Sequence, residues 1–92
     1  MKVSDTRVRR NPDVAYQALA EGEGGVLLSL ETGEYHGVND TGGRIWNLID
    51  GERTVPEIVD ELRRELASAP ESLEVEAAEF VESLRARRLV TA

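Results

Sequence analysis

The 92-residue sequence contains no cysteine and only one histidine, His36. The absence of cysteine excludes disulfides, cysteine-ligated zinc fingers, iron–sulfur clusters and thiol catalysis. With one histidine, a metal site or a serine–histidine pair would need its other groups from carboxylates and hydroxyls. No calcium-loop or zinc-protease motif occurs either. We therefore expect a protein that is not an enzyme, with no catalytic residue, no metal site and no cofactor.

Positive charge is scarce as well. Eleven lysine and arginine residues stand against 18 aspartate and glutamate residues, a net charge of −7. Such a field repels phosphate groups, so we expect neither nucleic acid nor a membrane surface as a partner. No apolar run approaches the roughly 20 residues of a membrane span, and residues 1–10 lack the apolar core of a signal peptide. The expected location is the cytoplasm.

The first half of the chain has the pattern of an antiparallel sheet. Alternating or continuous apolar residues predict strands over residues 14–20, 26–30 and 35–38. A glycine-rich segment at residues 21–25 predicts the first turn, and Gly33 occupies the left-handed position of the second. The pattern predicts a three-stranded meander over residues 14–38.

Three amphipathic segments follow, each preceded by a residue that can cap a helix. Asn39 or Asp40 caps the first, and Thr54 begins a capping box at the second. Ser72 caps the third, after a helix break at residues 68–70. The apolar stripes predicted to face the core are Ile45, Trp46, Leu48 and Ile49, then Val55, Ile58, Val59, Leu62 and Leu66, then Leu73, Ala77, Phe80, Val81 and Leu84.

Three strands followed by three helices predict an α+β fold rather than a parallel α/β sheet. Leu89 and Val90 either fold back onto the core or add a short tail strand. No repeat or linker divides the chain, so residues 1–92 are expected to form one domain with its core over about residues 14–90.

Two local features permit more than one interpretation. Gly42 and Gly43 open the first helix, and a close approach of that helix to the sheet is favoured over anion binding. The arginines at the end of the third helix (Arg85, Arg87 and Arg88) either complement the helix dipole or bind acidic side chains of a partner. A DNA-reading winged helix is disfavoured because the helices lack a basic face.

Three segments carry a resemblance to a known family. They are residues 27–35 (LLSLETGEY), 38–42 (VNDTG) and 45–51 (IWNLIDG). Together they resemble the core signature of PqqD-like proteins, the recognition elements for ribosomally synthesised and post-translationally modified peptides (RiPPs). Two positions depart from the family pattern: Glu76-Ala77 is smaller than the usual pair, and Arg88 stands where the family often has glycine.

The resemblance implies a winged helix-turn-helix-like fold and a peptide-binding function. Family members bind the leader segment of a precursor peptide as a strand added to the third strand, against the third helix. Carried onto this sequence, the implied peptide-binding residues are Glu34, Tyr35, His36, Gly37 and Val38 on the strand, and Val75, Ala78, Val81, Glu82 and Arg85 on the helix.

A free-standing chain of this length resembles the small proteins of lasso-peptide pathways. The implied partners are the leader peptide, a transglutaminase-like leader peptidase and an ATP-dependent macrolactam cyclase. Two alternatives stay open at this point. One is a chaperone for another modified peptide or for a peptide-derived quinone cofactor, and the other is a winged-helix DNA-binding regulator.

Overall fold

The computed structural model describes residues 7–66 and 70–91 of the chain. In chain order its elements are β1 (Arg9–Arg10), β2 (Val14–Ala18), β3 (Gly25–Ser29), β4 (Tyr35–Val38), α1 (Asp40–Leu48), α2 (Val55–Glu65), α3 (Leu73–Ala86) and β5 (Val90–Thr91). Apart from the two short outer strands, three strands precede three helices. The predicted α+β class is confirmed.

The predicted meander forms an antiparallel sheet in the order β2-β3-β4. Its central strand alternates strictly, so that Leu27 and Ser29 are buried while Val26 and Leu28 are half-buried on the other face. Gly33 has a φ of 78°, which confirms the left-handed turn position between β3 and β4. Register and alternation place the apolar face of the sheet against the helices.

A second, two-stranded sheet joins the two ends of the described chain. Arg10 of β1 pairs with Val90 of β5, and Val8 just before β1 is fully buried. Both alternatives for Leu89 and Val90 are confirmed: the two side chains are buried in the core, and Val90 belongs to the tail strand β5. The sequence did not predict β1, because two consecutive arginines carry no strand signal.

The helix caps agree with two of the three predictions. The Asn39 side chain accepts a hydrogen bond from the Gly42 amide at 2.8 Å. The Thr54 amide donates to the Glu57 carboxylate at 3.0 Å, which lowers the pKa of Glu57. The prediction for Ser72 was wrong in its chemistry. Its backbone is already helical, so its hydroxyl bonds to Glu76 instead of capping α3.

The third helix ends in a strained conformation. Arg88 has a φ of 61°, in the left-handed region that favours glycine. The turn satisfies the last carbonyls, because the Leu89 amide donates to the Leu84 carbonyl at 2.9 Å. Arg88 stands where the PqqD-like pattern often has glycine, and it adopts the left-handed backbone conformation that glycine favours.

The hydrophobic core lies between the three helices and the inner face of the meander. Its fully buried members include Leu27, Ile45, Trp46, Ile49, Ile58, Leu62, Leu73 and Val81. Phe80 was predicted as core but is only half-buried, because it packs at the edge of the core beside Gly42. Among the described residues no helix is long and apolar enough to cross a membrane.

The first helix crosses the sheet at close range. A Cβ at Gly43 would collide with the Tyr16 hydroxyl, so the glycine allows α1 to approach β2. The Tyr16 ring also lies 6.4 Å from the Trp46 ring, centroid to centroid. The Arg10 guanidinium lies over the Trp46 ring, 5.3 Å from its centroid, and donates to the Trp46 carbonyl at 2.9 Å. The expectation of close helix–sheet contact is confirmed at Gly43, whereas Gly42 allows the close approach of Phe80 from α3.

Candidate functional site

Strand β4 is an edge of the meander. Among the described strands it pairs only with β3, with His36 opposite Leu27 and Gly37 opposite Val26. The Ser29 amide donates to the Glu34 carbonyl at 3.0 Å. Hydrogen-bonded pairs alternate along an antiparallel ladder, so His36 and Val38 also turn their backbone groups toward β3. The amides and carbonyls of Tyr35 and Gly37 therefore point outward, where a further strand could bind them.

The side chains of β4 alternate between two environments. His36 and Val38 are half-buried on the side of the sheet that carries Leu27 and the helices. Tyr35 projects from the other face and is 74% exposed. Gly37 has open space around it, since a Cβ there would meet no atom within 4 Å. The face of β4 that carries Tyr35 and Gly37 is therefore open, and no further described strand pairs with its outer edge.

Helix α3 provides a wall opposite this edge. Arg87, just after the helix, places its Nη1 atom 3.0 Å from His36 Nδ1. Toward the start of the helix, Phe80 and Glu76 line a small cavity of about 120 Å³ with Asn39, the residue after β4. The end of α3 thus lies beside the start of β4, and the two elements run in opposite directions.

We name the space between them the β4–α3 groove. It is bounded by residues 34–38 on the strand and by Glu76, Phe80 and Arg87 on the helix side. Helical spacing places Ser83 in the same row, between Phe80 and Arg87. At the Arg87 end the groove opens into a cavity of about 470 Å³. This cavity is lined by Ser29, Thr32, Glu34, Tyr35, His36 and Arg87. A strand-like peptide added to β4 would lie in this groove.

The structure revises the predicted helix face. Residues two apart on a helix of about 3.6 residues per turn point to nearly opposite sides, so Arg85 faces away when Arg87 faces β4. Arg85 forms an ion pair with Glu82 instead, and its hydrogen bond lowers the pKa of the Glu82 carboxyl. The predicted Val75, Ala78 and Glu82 lie on the same flank as Arg85.

Val81 was also predicted to contact the peptide, but its side chain is fully buried in the core. Val75, by contrast, is 60% exposed on the flank that faces away from β4. The strand residues 34–38 do lie together, whereas the five predicted helix residues do not join them.

The sequence interpretation missed Arg87 and Phe80 as groove residues. Their spacing of seven places them on one face of a helix, and that face was recognisable as a row with Glu76 and Ser83. Helical spacing groups these residues but does not show that they face β4, and the apolar pattern assigned Phe80 to the core. Arg87 had been considered only as one of three arginines at the helix end.

The chemistry that these groups offer is recognition of a peptide. The groove combines outward backbone amides and carbonyls, a half-buried apolar ring and a guanidinium. Among the residues that the structure describes, no group of three histidine, aspartate or glutamate side chains is placed to hold a metal ion.

Comparison with known proteins identifies relatives over most of the chain. Residues 24–90 match the sequence profile of the family described as coenzyme PQQ synthesis protein D (PqqD). The chain is 39% identical over 54 residues to the PqqA binding protein of Pseudomonas entomophila (strain L48). That match covers 59% of this chain and spans 58% of the relative's length.

Solved structures share the fold. TbiB1 in complex with the TbiA(beta) leader peptide is 28% identical, with a TM-score of 0.74 over 91% of this chain and 95% of that one. Lasso peptide synthetase B1 complexed with the leader peptide is 23% identical, with a TM-score of 0.74. The match covers 95% of this chain and 100% of that one.

A third similar structure is the PqqD truncation of Methylobacterium extorquens PqqCD, described as a stand-alone RiPP recognition element. It is 22% identical, with a TM-score of 0.75 over 99% of this chain and 94% of that one. The family profile covers well over half of the sequence, and the predicted resemblance is confirmed. The chain belongs to the PqqD family.

Proposed function

We propose that this protein is a non-catalytic recognition domain that binds the leader segment of a ribosomally synthesised precursor peptide. The leader adds to β4 as an antiparallel strand and lies in the β4–α3 groove. The observation that carries the proposal is the free edge of β4, whose first residues border an open cavity shared with Arg87 at the end of α3.

The physical basis is β-augmentation. The outward amides and carbonyls of Tyr35 and Gly37 supply main-chain hydrogen bonds, and the groove accepts alternate side chains. Ordering a disordered peptide costs roughly 2–5 kcal/mol of the gross interaction energy. A dissociation constant between about 1 nM and 1 μM, or −12 to −8 kcal/mol, is therefore expected.

Two structural relatives support the choice of ligand. TbiB1 and lasso peptide synthetase B1 were both solved with a leader peptide bound. By analogy we propose a place in lasso-peptide biosynthesis, in which this protein delivers the leader to a transglutaminase-like peptidase and an ATP-dependent macrolactam cyclase. Delivery would act by raising the local concentration of substrate at the partner enzyme.

A second candidate ligand is supported by the sequence match to the PqqA binding protein. In that case the protein would serve as a peptide chaperone in a quinone-cofactor pathway. The mode of binding would be the same, and only the leader sequence would differ.

The decisive experiment is an NMR titration of isotope-labelled protein with two synthetic leaders, one of lasso type and one of PqqA type. We expect the matching leader to shift the amides of residues 34–38 and of Glu76, Phe80, Ser83 and Arg87. The unmatched leader is the control. Shifts confined to β2 or to α2 would contradict the proposed site.

A companion assay tests the absence of catalysis. The purified protein alone is expected to leave a full-length precursor intact, and to accelerate leader removal when the partner peptidase is added. Cleavage by the protein alone that disappears on His36→Ala would contradict a pure recognition function.

A further inference from the structure

One end of the β4–α3 groove carries a cation without an ion-pair partner among the described residues, in a cavity that Glu34 also lines. Arg87 forms no ion pair with any carboxylate of the described residues, whereas Arg85, two positions earlier, is held by Glu82. A guanidinium is always a donor, so at 3.0 Å it donates to His36 Nδ1. The imidazole proton is then on Nε2, and the two side chains line the same cavity, with further N–H groups on the guanidinium.

The other end of the groove has the opposite charge. Glu76 lines the small cavity with Phe80 and Asn39, beyond the last residue of β4. The two ends of the groove therefore differ: Arg87 and Glu34 lie beside the start of β4, and the carboxylate of Glu76 lies beyond its end with no cation of the described residues lining the same cavity. Since the chain carries a net charge of −7, Arg87 is a local exception to the overall field.

The strand register determines which ligand residue reaches the cation. A peptide antiparallel to β4 forms its hydrogen bonds with Tyr35 and Gly37. The peptide residues opposite His36 and Val38 then turn their side chains to the same face as those two residues, toward α3. The residue opposite His36 lies beside Arg87, and the residue opposite Val38 lies toward Phe80.

Chain direction gives these two positions an order. In an antiparallel pair the peptide residue opposite Val38 comes two positions before the residue opposite His36. Val38 and Phe80 both pack against the core and offer apolar surface, while His36 and Arg87 offer donors. Glu34 lines the cavity at the Arg87 end. Its carboxylate disfavours an acidic residue at the peptide position opposite Glu34, two positions after the residue opposite His36.

We propose that the groove reads a short motif in the leader: an apolar residue, any residue, then aspartate or glutamate. The acidic side chain binds Arg87 and His36, and the apolar side chain packs against Val38 and Phe80. This specificity rests on the proposed leader-binding function and adds to it the chemistry and spacing of the recognised residues.

The test begins with a display library of short random peptides, anchored through the carboxyl end so that no free terminal carboxylate competes. Selection for binding to the wild-type protein is expected to enrich peptides with an acidic residue two positions after an apolar one. A selected peptide is then resynthesised in amidated form, and its affinity is measured by fluorescence anisotropy. Replacing its acidic residue with the matching amide should weaken binding at least about tenfold, since a charge-assisted hydrogen bond is lost.

Matched arginine variants distinguish this motif from a general preference for negative charge. Arg87→Glu should weaken the selected peptide by about tenfold or more, and a lysine at the acidic position should restore much of the loss. Arg85→Glu makes the same charge change on the opposite flank and should alter the affinity less than about twofold.

The outcomes separate the two proposals. Peptides that bind and shift the amides of residues 34–38, yet show no acidic preference or no rescue by lysine, would refute the motif and leave the leader-binding function intact. Equal losses from Arg85→Glu and Arg87→Glu would also refute the motif. Selected peptides that bind without shifting residues 34–38 would refute both proposals.

Discussion

The meander has two edges, β2 and β4, and they differ in what lies beside them. On β2 the large Tyr16 side chain fills the space between sheet and helix, against Trp46 and Gly43. On β4 the corresponding face carries His36 and Val38, and a cavity of about 470 Å³ lies beside His36 and Arg87. Both edges have unpaired backbone groups, but only β4 has a helix wall across a gap. An edge strand is suited to bind a peptide only where the fold leaves room for one.

The largest expected effect is on stability at the β2 edge. Tyr16→Ala removes the ring between α1 and the sheet, and we expect a loss of about 2–3 kcal/mol in the free energy of unfolding. His36→Ala, on the β4 edge, should cost no more than about 0.5 kcal/mol because that ring borders the groove. Urea denaturation of both variants measures the difference. Similar losses would mean that both edges are structural.

The next effect concerns the backbone of the β4 edge. Gly37→Pro removes an outward amide and places a ring where the leader would pair, so leader binding should fall about 30- to 100-fold, or 2–3 kcal/mol. Ala18→Pro is the matched control, since its amide points outward from β2. Calorimetric titration with the leader compares the two. An equally large loss of affinity in Ala18→Pro would contradict binding of the leader at β4 alone.

A smaller effect is expected at the helix wall. Because Phe80 is half-buried, Phe80→Ala should reduce the free energy of unfolding by about 1.5–2 kcal/mol, less than a fully buried phenylalanine would. The same variant should weaken leader binding, whereas the exposed Val75→Ala should change neither quantity. Denaturation and titration of the two variants test this. Retained affinity in Phe80→Ala would exclude the ring from the groove wall.

The smallest effect tests the strain at the end of α3. Arg88→Gly relieves a left-handed backbone, so it should raise the free energy of unfolding by about 0.5–1 kcal/mol. Arg88→Ala keeps the strained conformation and should give no gain. Thermal denaturation of both variants distinguishes relief of strain from loss of the arginine side chain.

The sequence by itself determined the local elements of this protein. Period-2 and period-3.6 apolar patterns located the meander and the three helices, and Asn39 and Thr54 marked two helix starts. Strand order along the chain predicts that β4 is an edge, because consecutive hairpins leave the last strand of a meander unpaired on one side. The choice of residues 34–38 for peptide binding came from the family resemblance. These features depend on interactions between residues close in sequence.

Tertiary structure alone decided which flank of α3 faces β4. Helical periodicity identifies the buried stripe, but the rotation that brings Arg87 rather than Arg85 to His36 is set by packing of α3 against α1 and α2. The pairing of β1 with β5 likewise joins residues about 80 positions apart, a contact that no local pattern encodes. The groove is a product of such long-range contacts, since its two walls belong to distant segments of the chain.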